Sequence, residues 1–167
     1  IQDALYDILQ NEDARGPFGG HKMALTSPDI QKMCGVDQPA YGRIFRETIH
    51  HSPHRPVVAT FGRIGTEYEV AFEIGENVPL DKGPFTRETI APYAASAMPA
   101  IEMIDDRDAD YATLDAMSIL TDRCWCGGIV LGAPLTNWQA LDLGNLKSRV
   151  WWNGEMVDEG NTGNALG

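Results

Sequence analysis

Residues 66–74 read TEYEVAFEI, and their alternation of polar and apolar side chains predicts a β-strand. Because alternate residues of a strand share a face, the apolar side chains form one surface, which we expect to pack on the core. These side chains are Tyr68, Val70, Phe72 and Ile74. The opposite face carries Glu67 and Glu69, about 6–7 Å apart along the strand.

Glu67 and Glu69 repel each other if both are ionised, unless a cation lies between them. Hard divalent cations such as Mg²⁺ and Mn²⁺ prefer carboxylate oxygens as ligands, so the pair is a candidate metal site. An ordinary solvated strand face gives the same alternation without any ion. The strand alone therefore leaves both interpretations open.

Another acid lies within an apolar segment, residues 98–107, which read MPAIEMIDDR. Glu102 interrupts a predicted strand, and an ionised carboxylate in a buried strand is costly unless it is paired or binds a metal. Glu102 is therefore a candidate third ligand. The alternatives are an ion pair with Arg107 or Lys22, or a position on an edge strand.

Lys22 is the only cation of a short apolar segment, residues 21–25. A lysine on a short strand can hydrogen-bond a substrate carboxylate, or act as an acid or base if its pKa falls. The alternative is a surface lysine whose aliphatic stem covers apolar surface while its charge stays in water.

The sequence alternates between segments with strand periodicity and shorter helical segments, which predicts an α+β fold with a mixed or mostly antiparallel sheet. The predicted strands are 21–25, 57–61, 67–74, 99–104 and 126–131, with a further hairpin about Asn153-Gly154. The predicted helices are 1–11, 28–34, 86–97 and 114–121, and residues 37–55 are predicted to form a loop.

Composition restricts the partners and the location that we expect for this protein. The 167 residues carry a net charge of −11 without a basic stripe, so no nucleic-acid partner is expected. No apolar stretch approaches the ~20 residues that span a bilayer, and no signal peptide is visible, so no membrane partner is expected. Three cysteines, an odd number, favour a reducing, cytoplasmic location. Trp151 and Trp152 on the predicted hairpin favour a homo-oligomer.

Two further side-chain groups are candidates for a site. His50, His51 and His54 lie in a proline-containing segment and form either a histidine metal site or a mobile loop or subunit contact. Cys124 and Cys126 lack the second cysteine pair that a zinc site needs, so we expect buried core thiols.

Seven segments, in this order along the chain, resemble stretches that are characteristic of the 2-keto-4-pentenoate (2-hydroxypenta-2,4-dienoate) hydratases. They are residues 20–27, 35–42, 67–72, 99–102, 127–132, 141–143 and 165–167. The first, GHKMALTS, resembles the glycine–x–lysine–x–x–leucine–threonine–serine opening of that family. The family is part of the fumarylacetoacetate-hydrolase superfamily, which also holds 4-oxalocrotonate decarboxylases. Seven segments in the correct order are more specific than any single one.

The resemblance implies a fold, a twisted mixed or antiparallel β-roll with peripheral helices, incomplete at both ends in this chain. It also implies two regions. Residues 1–55 form an N-terminal helical and loop region that carries the Lys22 segment. Residues 56–167 form a β-roll catalytic region without its C-terminal closing part. We therefore expect the chain to be part of a longer protein.

The resemblance also implies a reaction. Glu67, Glu69 and Glu102 would bind Mg²⁺ or Mn²⁺, and the ion would chelate a small 2-oxo or 2-hydroxydienoic acid. The implied enzyme is a metal-dependent hydro-lyase of aromatic catabolism, which hydrates a 2-hydroxy-2,4-dienoate to a 4-hydroxy-2-oxo acid. A 4-oxalocrotonate-type decarboxylase, a C–C bond hydrolase of the same superfamily and a degenerate homologue without turnover stay open as alternatives.

Further site residues follow from matching the family's segments to this chain. Lys22 would lie beside the substrate as a catalytic residue. Where the family carries an aspartate this chain has Ala40, so Asp37, the nearest remaining acid, is the second catalytic candidate. Leu25 and Trp125 are the implied substrate contacts. Trp125 ends an arginine–cysteine–tryptophan segment where the family has asparagine–alanine–serine, so the substrate pocket is expected to differ.

Overall fold

The computed structural model describes residues 2–11 and 15–165. Ile1 of the predicted first helix, and Leu166 and Gly167 of the last matching segment, lie outside the described residues. The helices are α1 (Gln2–Asn11), α2 (Pro28–Met33), α3 (Arg87–Ile90) and α4 (Ala116–Thr121). The strands are β1 (Phe18–Ala24), β2 (Ala40–Phe45), β3 (Ile49–His51), β4 (Ile64–Ile74), β5 (Ala94–Asp105), β6 (Cys126–Leu131), β7 (Lys147–Trp152) and β8 (Glu155–Asn161). The predicted α+β class is confirmed, while the β-roll stays a prediction.

A four-stranded mixed sheet, in the order β3-β6-β5-β4, forms the centre of the fold. The two long strands β4 and β5 pair antiparallel from Ile64, opposite Asp105, to Ile74, opposite Ala94. Strand β6 pairs antiparallel with β5 on its other side, and β3 adds in parallel beside β6. Strand β5 is therefore interior, so its residues are flanked by backbone on both sides.

A two-stranded antiparallel sheet, β1-β2, lies against the glutamate side of the central sheet and carries Lys22 opposite Gly42. Gly42 permits a close approach, because a Cβ atom there would lie 2.8 Å from the carbonyl oxygen of Arg123. Any larger residue at this position would push the 123–125 segment away from the β1-β2 sheet. The β7-β8 hairpin turns at Asn153-Gly154 as the sequence predicts.

Two short helices enclose an apolar cluster beside the β1-β2 sheet. Its buried members are Leu25, Cys34, Ile119 and Cys124. Helix α2 begins where the sequence predicts, with the Ser27 hydroxyl accepting a hydrogen bond from the Ile30 backbone N–H. Helix α4 begins in the same way, with the Asp115 carboxylate accepting from the Ser118 N–H at 2.9 Å.

The predictions for residues 37–55 and 57–61 are wrong. Residues 37–55 contain β2 and β3 instead of a loop, because β1 and β6 supply pairing partners that are distant in sequence. Residues 57–61 contain a single helical turn at Val58–Thr60 instead of a strand. Val57 and Val58 are exposed, and no strand of the described residues pairs with them.

The predicted helix over 86–97 is also wrong beyond its first turn. Thr86 caps the start of α3 as predicted, and the helix ends at Ile90. Pro92 follows within two residues and cannot supply the N–H that a continuing helix needs. From Ala94 the chain enters β5, where pairing with β4 and β6 replaces the helical hydrogen bonds.

The prediction that the apolar face of β4 packs on the core is wrong. Tyr68, Phe72 and Ile74 are 40%, 44% and 56% exposed, so this face does not pack on the core. The only aromatic partner there among the described residues is Trp138, whose ring centroid lies 5.2 Å from that of Phe72. The opposite face of β4 is covered in part: Glu69 is half-buried, because the β1-β2 sheet and the 123–125 segment lie on that side, while Glu67 and Glu73 are exposed.

Within the described residues, no helix has both the length and the apolar character that a bilayer crossing requires.

Candidate active site

Three glutamates from two strands converge on one face of the central sheet. The antiparallel register places Glu67 of β4 directly opposite Glu102 of β5, and Glu69 follows two residues along on the same face. One carboxylate oxygen of each glutamate lies within 4.8 Å of the other two. Glu67 is exposed, Glu69 is half-buried and Glu102 is fully buried, so the cluster runs from solvent into the protein. The predicted convergence is present, and the role of these residues as metal ligands stays a prediction.

Glu102 is paired with a buried lysine. The Lys22 ammonium donates to Glu102 Oε1 at 2.6 Å and to the carbonyl oxygen of Cys124 at 3.2 Å, and Lys22 is only 5% exposed. The alternative that Glu102 forms an ion pair with Lys22 is therefore correct for one of its two carboxylate oxygens. Arg107 instead binds Asp122, and the edge-strand alternative is wrong because β5 is interior.

The second oxygen of Glu102 has no partner. Glu102 Oε2 is buried and accepts no hydrogen bond from any described residue. An unsatisfied buried acceptor normally carries a full desolvation penalty, so such atoms are rare in folded proteins. The pairing with Lys22 thus explains one oxygen of the carboxylate and leaves the other available, on the side where Glu67 and Glu69 lie.

The electrostatics of the cluster reflect three acids and one cation in a partly closed space. Burial raises the pKa of Glu102 to about 7, against the opposing charge and hydrogen bond of Lys22 and with the help of Glu69 and Glu67. Burial also raises the pKa of Glu69. Burial alone lowers the pKa of Lys22, but the adjacent Glu102 outweighs it and the net pKa is raised. A bound cation would favour the ionised form of all three acids.

The donor set fits a hard divalent cation. All three candidate ligands are carboxylates, the type of oxygen that Mg²⁺ and Mn²⁺ prefer. The orphaned oxygen Glu102 Oε2 has the desolvated lone pairs that such an ion would satisfy. The exposed side of the cluster, at Glu67, leaves room for ligands that the protein does not provide. No other group of at least three histidine, cysteine or acidic ligands exists among the described residues.

The implied substrate contacts belong to the apolar cluster that contains Cys124. Leu25 is buried in that cluster, and Trp125 is half-buried and packs against it. The Trp125 ring also makes an edge contact with Tyr111, with centroids 5.6 Å apart. The Cys124 carbonyl links this cluster to Lys22, and the role of Leu25 and Trp125 as substrate contacts stays a prediction.

The segment Arg123-Cys124-Trp125 has an unusual backbone that the sequence gives no signal for. All three residues have left-handed φ angles, 55°, 52° and 59°. Each such residue costs about 1–2 kcal/mol when it is not glycine, and such strain tends to occur at functional sites. The strained turn directs the Cys124 carbonyl oxygen toward the Lys22 ammonium, so the strained backbone helps to hold the lysine in place.

Asp37 is not brought to the glutamates by any contact in the structure. It lies in the exposed turn between α2 and β2, and it makes no side-chain hydrogen bond or ion pair with the described residues. The register places Ala40 opposite Ala24 and Gly42 opposite Lys22, so Ala40 shares the lysine's face of the β1-β2 sheet. The catalytic role of Asp37 stays a prediction.

The remaining candidates behave as structural groups. His50 and His54 stack with ring centroids 3.8 Å apart, but with His51 they form no three-ligand group. Cys124 and Cys126 are buried free thiols, as predicted.

The structure adds a network that the sequence analysis missed. Asp106 accepts hydrogen bonds from the Arg63 guanidinium and from the Tyr111 hydroxyl at 2.8 Å. Tyr111 also makes the edge contact with the Trp125 ring, so the network supports the position of this tryptophan. Its only sequence signal is the acidic pair at the end of β5.

No family model matches the chain. A 2-keto-4-pentenoate hydratase from Burkholderia vietnamiensis (strain G4 / LMG 22486) is 29% identical over 97% of this chain and 63% of its own length. The chain therefore spans less than two thirds of that relative.

Two solved structures resemble the fold. A 4-oxalocrotonate decarboxylase from Pseudomonas putida G7, complexed with magnesium and adipate, gives a TM-score of 0.78 at 22% identity and covers 99% of this chain and 62% of the other. A fumarylpyruvate hydrolase from Pseudomonas aeruginosa, in complex with Mn²⁺ and pyruvate, gives 0.59 at 12% identity, covering 90% and 66%. The resemblance to the hydratase family that the seven segments predict is confirmed, and both structural neighbours hold a divalent metal.

Proposed function

We propose that this chain, a relative of the 2-keto-4-pentenoate hydratases, carries the metal-binding face of a hydro-lyase that adds water to a small 2-hydroxy-2,4-dienoic acid. The product would be a 4-hydroxy-2-oxo acid. The observation that carries the proposal is the orphaned, fully buried Glu102 Oε2 beside the carboxylates of Glu67 and Glu69. The hydratase names of the relatives support the reaction type.

Glu67, Glu69 and Glu102 would hold the ion, which we expect to be Mg²⁺ or Mn²⁺. When bound, the ion supplies Lewis acidity toward the carboxylate and the 2-oxygen of the substrate. The structural neighbours that hold magnesium or Mn²⁺ support the choice of a divalent cation, and the choice between the two ions is part of the proposal.

Lys22 has two tasks in this proposal. Its bond to Glu102 Oε1 orients that carboxylate and keeps Oε2 free for a cation. An ammonium has three N–H donors, and Lys22 uses two of them on Glu102 and on the Cys124 carbonyl. The third donor has no partner among the described residues, so it would be free to hydrogen-bond a substrate oxygen or to deliver a proton to the substrate.

The apolar wall of the site would receive the hydrocarbon part of the substrate. Leu25 and Trp125 would supply this wall, because both pack with Cys124, whose carbonyl accepts a hydrogen bond from Lys22. Asp37 stays the proposed second acid or base, although the structure shows no contact that supports it. We also propose a homo-oligomer, because Trp151 and Trp152 of the β7-β8 hairpin are 60% and 64% exposed.

A decarboxylase is the second candidate function. It is favoured by the likeness of the fold to the 4-oxalocrotonate decarboxylase, at a TM-score of 0.78. Metal-assisted stabilisation of charge on the 2-oxygen serves decarboxylation as well as hydration, so the glutamate cluster fits both reactions.

Turnover with each substrate class separates these functions. The purified protein, supplied with Mg²⁺ or Mn²⁺, is mixed with 2-hydroxypenta-2,4-dienoate or with 4-oxalocrotonate. Loss of the dienoate absorbance without CO₂ release supports the hydratase, and CO₂ release from 4-oxalocrotonate supports the decarboxylase. Absence of both reactions with metal binding intact contradicts the proposed catalysis and supports a degenerate homologue.

A variant pair ties turnover to the cluster. Glu102→Gln should abolish the reaction, because it removes an anionic ligand. Glu73→Gln is the matched control, since Glu73 lies on the same face of β4 but bonds to Ser96 at 2.9 Å outside the cluster. Equal loss in both variants would argue against a specific role for the three glutamates.

A further inference from the structure

The peptide unit that joins Cys124 to Trp125 is held at both of its polar ends. Its N–H belongs to Trp125 and donates to the carbonyl oxygen of Asp122 at 2.8 Å. Its carbonyl oxygen belongs to Cys124 and accepts from the Lys22 ammonium at 3.2 Å. Because a peptide unit is planar, the direction of the carbonyl follows the orientation of the whole unit. A contact that holds Trp125 in place therefore also holds the oxygen that Lys22 contacts.

This peptide unit lies in a backbone turn that local preference does not favour. The φ angles of residues 123–125 are all in the left-handed region, which residues with a β-carbon adopt only at a cost in energy. The turn contains no glycine that would remove this cost. A strained turn of this kind persists when the surrounding elements determine its shape. The contacts at its two ends therefore decide where the Cys124 carbonyl points.

Strand β2 supports the first residue of the turn. A Cβ atom at Gly42 would lie 2.8 Å from the carbonyl oxygen of Arg123, so the backbone of β2 packs directly on the turn. The last residue of the turn, Trp125, packs on one side against the apolar cluster around Leu25. Its further aromatic contact is with Tyr111.

The Tyr111 side chain is fixed by specific contacts on its ring and on its hydroxyl. The ring meets the Trp125 ring edge-on, at 62° and with centroids 5.6 Å apart. The hydroxyl donates to Asp106 at 2.8 Å, and the Arg63 guanidinium lies 5.6 Å from the ring centroid. Asp106 is itself 6% exposed and bonded to Arg63, so this anchor is fixed as well. Tyr111 is 46% exposed, so these contacts hold it and not burial in a core.

We propose that Tyr111 is a positioning residue for Lys22. By supporting Trp125, it fixes the peptide unit whose carbonyl oxygen accepts a hydrogen bond from the Lys22 ammonium. The lysine is thereby kept on Oε1 of Glu102, and Oε2 stays available. The effect of Tyr111 on metal affinity rests on the proposed function, whereas its effect on Lys22 does not, so the two effects can be measured separately.

Exchange of the Lys22 ammonium hydrogens with water tests the positioning in metal-free protein. NMR spectra of the full chain with isotope-labelled lysine give the exchange rate, and Lys22→Arg assigns the signal. Tyr111→Leu should raise the rate about tenfold, because the turn opens and exposes the ammonium to water. Tyr93→Leu is the matched control, since Tyr93 makes an edge contact with Phe85 at 5.9 Å, outside the turn, and should leave the rate unchanged. An unchanged rate in Tyr111→Leu, or an equal rise in both variants, overturns the proposal.

A conservative variant separates support of the turn from a general loss of stability. Tyr111→Phe keeps the ring that contacts Trp125 and loses only the hydroxyl bond to Asp106. Its exchange rate should therefore lie closer to that of the wild type than to that of Tyr111→Leu. A rate equal to that of Tyr111→Leu would contradict a supporting role of the ring.

Calorimetric titration with Mg²⁺ tests the consequence for the metal centre. Tyr111→Leu should bind the ion about tenfold more weakly than the wild type and Tyr93→Leu, because groups that orient metal ligands contribute about this much to affinity. Equal affinity in Tyr111→Leu and wild type overturns the link between Tyr111 and the metal centre. Absence of Mg²⁺ binding in the wild type would instead contradict the proposed function, and the exchange rates would still decide whether Tyr111 positions Lys22.

Discussion

The two faces of β4 relate polarity to burial in opposite ways. On one face Glu69 is half-buried beside Glu102 of β5, which is 0% exposed and bonds to Lys22, and Glu67 reaches solvent. On the other face Phe72 and Ile74 are about half exposed. Strand alternation tells which residues share a face, but the elements that pack on each face decide which one is buried. Here the β1-β2 sheet with its lysine covers Glu102, and that placement indicates a site and not only a core.

The largest expected effect comes from breaking the ion pair between Lys22 and Glu102. Lys22→Met leaves Glu102 buried without its cation, which should lower the free energy of unfolding by about 3–5 kcal/mol in metal-free buffer. The double variant Lys22→Met/Glu102→Leu should recover most of that loss, because it removes both charges. Urea unfolding followed by circular dichroism measures both. A loss below about 1 kcal/mol in the single variant would mean that the pair is not formed as described.

The next effect compares the faces directly through one large side chain on each. Met98 lies on the glutamate face of β5 and is 7% exposed, so Met98→Ala should cost about 2–5 kcal/mol. Phe72 lies on the opposite face and is 44% exposed, so Phe72→Ala should cost about 1 kcal/mol. Urea unfolding of the two variants in the same buffer gives the ranking. A larger loss for Phe72→Ala would show that the apolar face is the buried one.

The smallest effect concerns the network that supports Trp125. Hydrogen bonds from Arg63 lower the pKa of Asp106 below its unfolded value of about 3.9, although burial opposes them. The stabilisation is therefore complete above the unfolded pKa and is lost as the pH falls through the lower, folded pKa. Arg63→Gln should be less stable than wild type at neutral pH, and the difference should shrink at strongly acid pH.

Unfolding experiments at both pH values check this prediction. Arg149→Gln serves as a control for loss of an exposed arginine, since the Arg149–Glu159 pair lies on the β7-β8 hairpin. A stability difference between wild type and Arg63→Gln that is independent of pH would exclude the ion pair with Asp106 as its source.

Local patterns were sufficient for the parts of the fold that local energetics determine. The alternation in 67–74, the Asn-Gly turn at 153–154 and the capping serine of α2 each led to the correct element. Glu102 is likewise recoverable as a candidate, because an acid within an apolar strand is costly and therefore informative. The alternation leaves Glu67 and Glu69 open, and the set of three follows only from the family resemblance.

Features that depend on distant partners were not recoverable. Strands β2 and β3 form because β1 and β6 pair with them, and the 37–55 sequence carries no local sign of this. The predicted helix over 86–97 is cut short, because Pro92 cannot continue it and β5 pairs with a strand on each of its sides. The left-handed turn at 123–125 contains no glycine that would indicate it in the sequence. Only the structure therefore shows that the Cys124 carbonyl accepts a hydrogen bond from Lys22.

Direct metal titration is the measurement closest to the central claim. Calorimetry with Mg²⁺ and with Mn²⁺ on the full chain at neutral pH should give one site per chain for wild type and for Glu73→Gln. Glu102→Gln should bind about 100-fold more weakly, because a ligand contributes at least as much as the groups that support it. Failure of the wild type to bind either ion, or equal affinity in Glu102→Gln, would contradict a metal centre built on Glu67, Glu69 and Glu102.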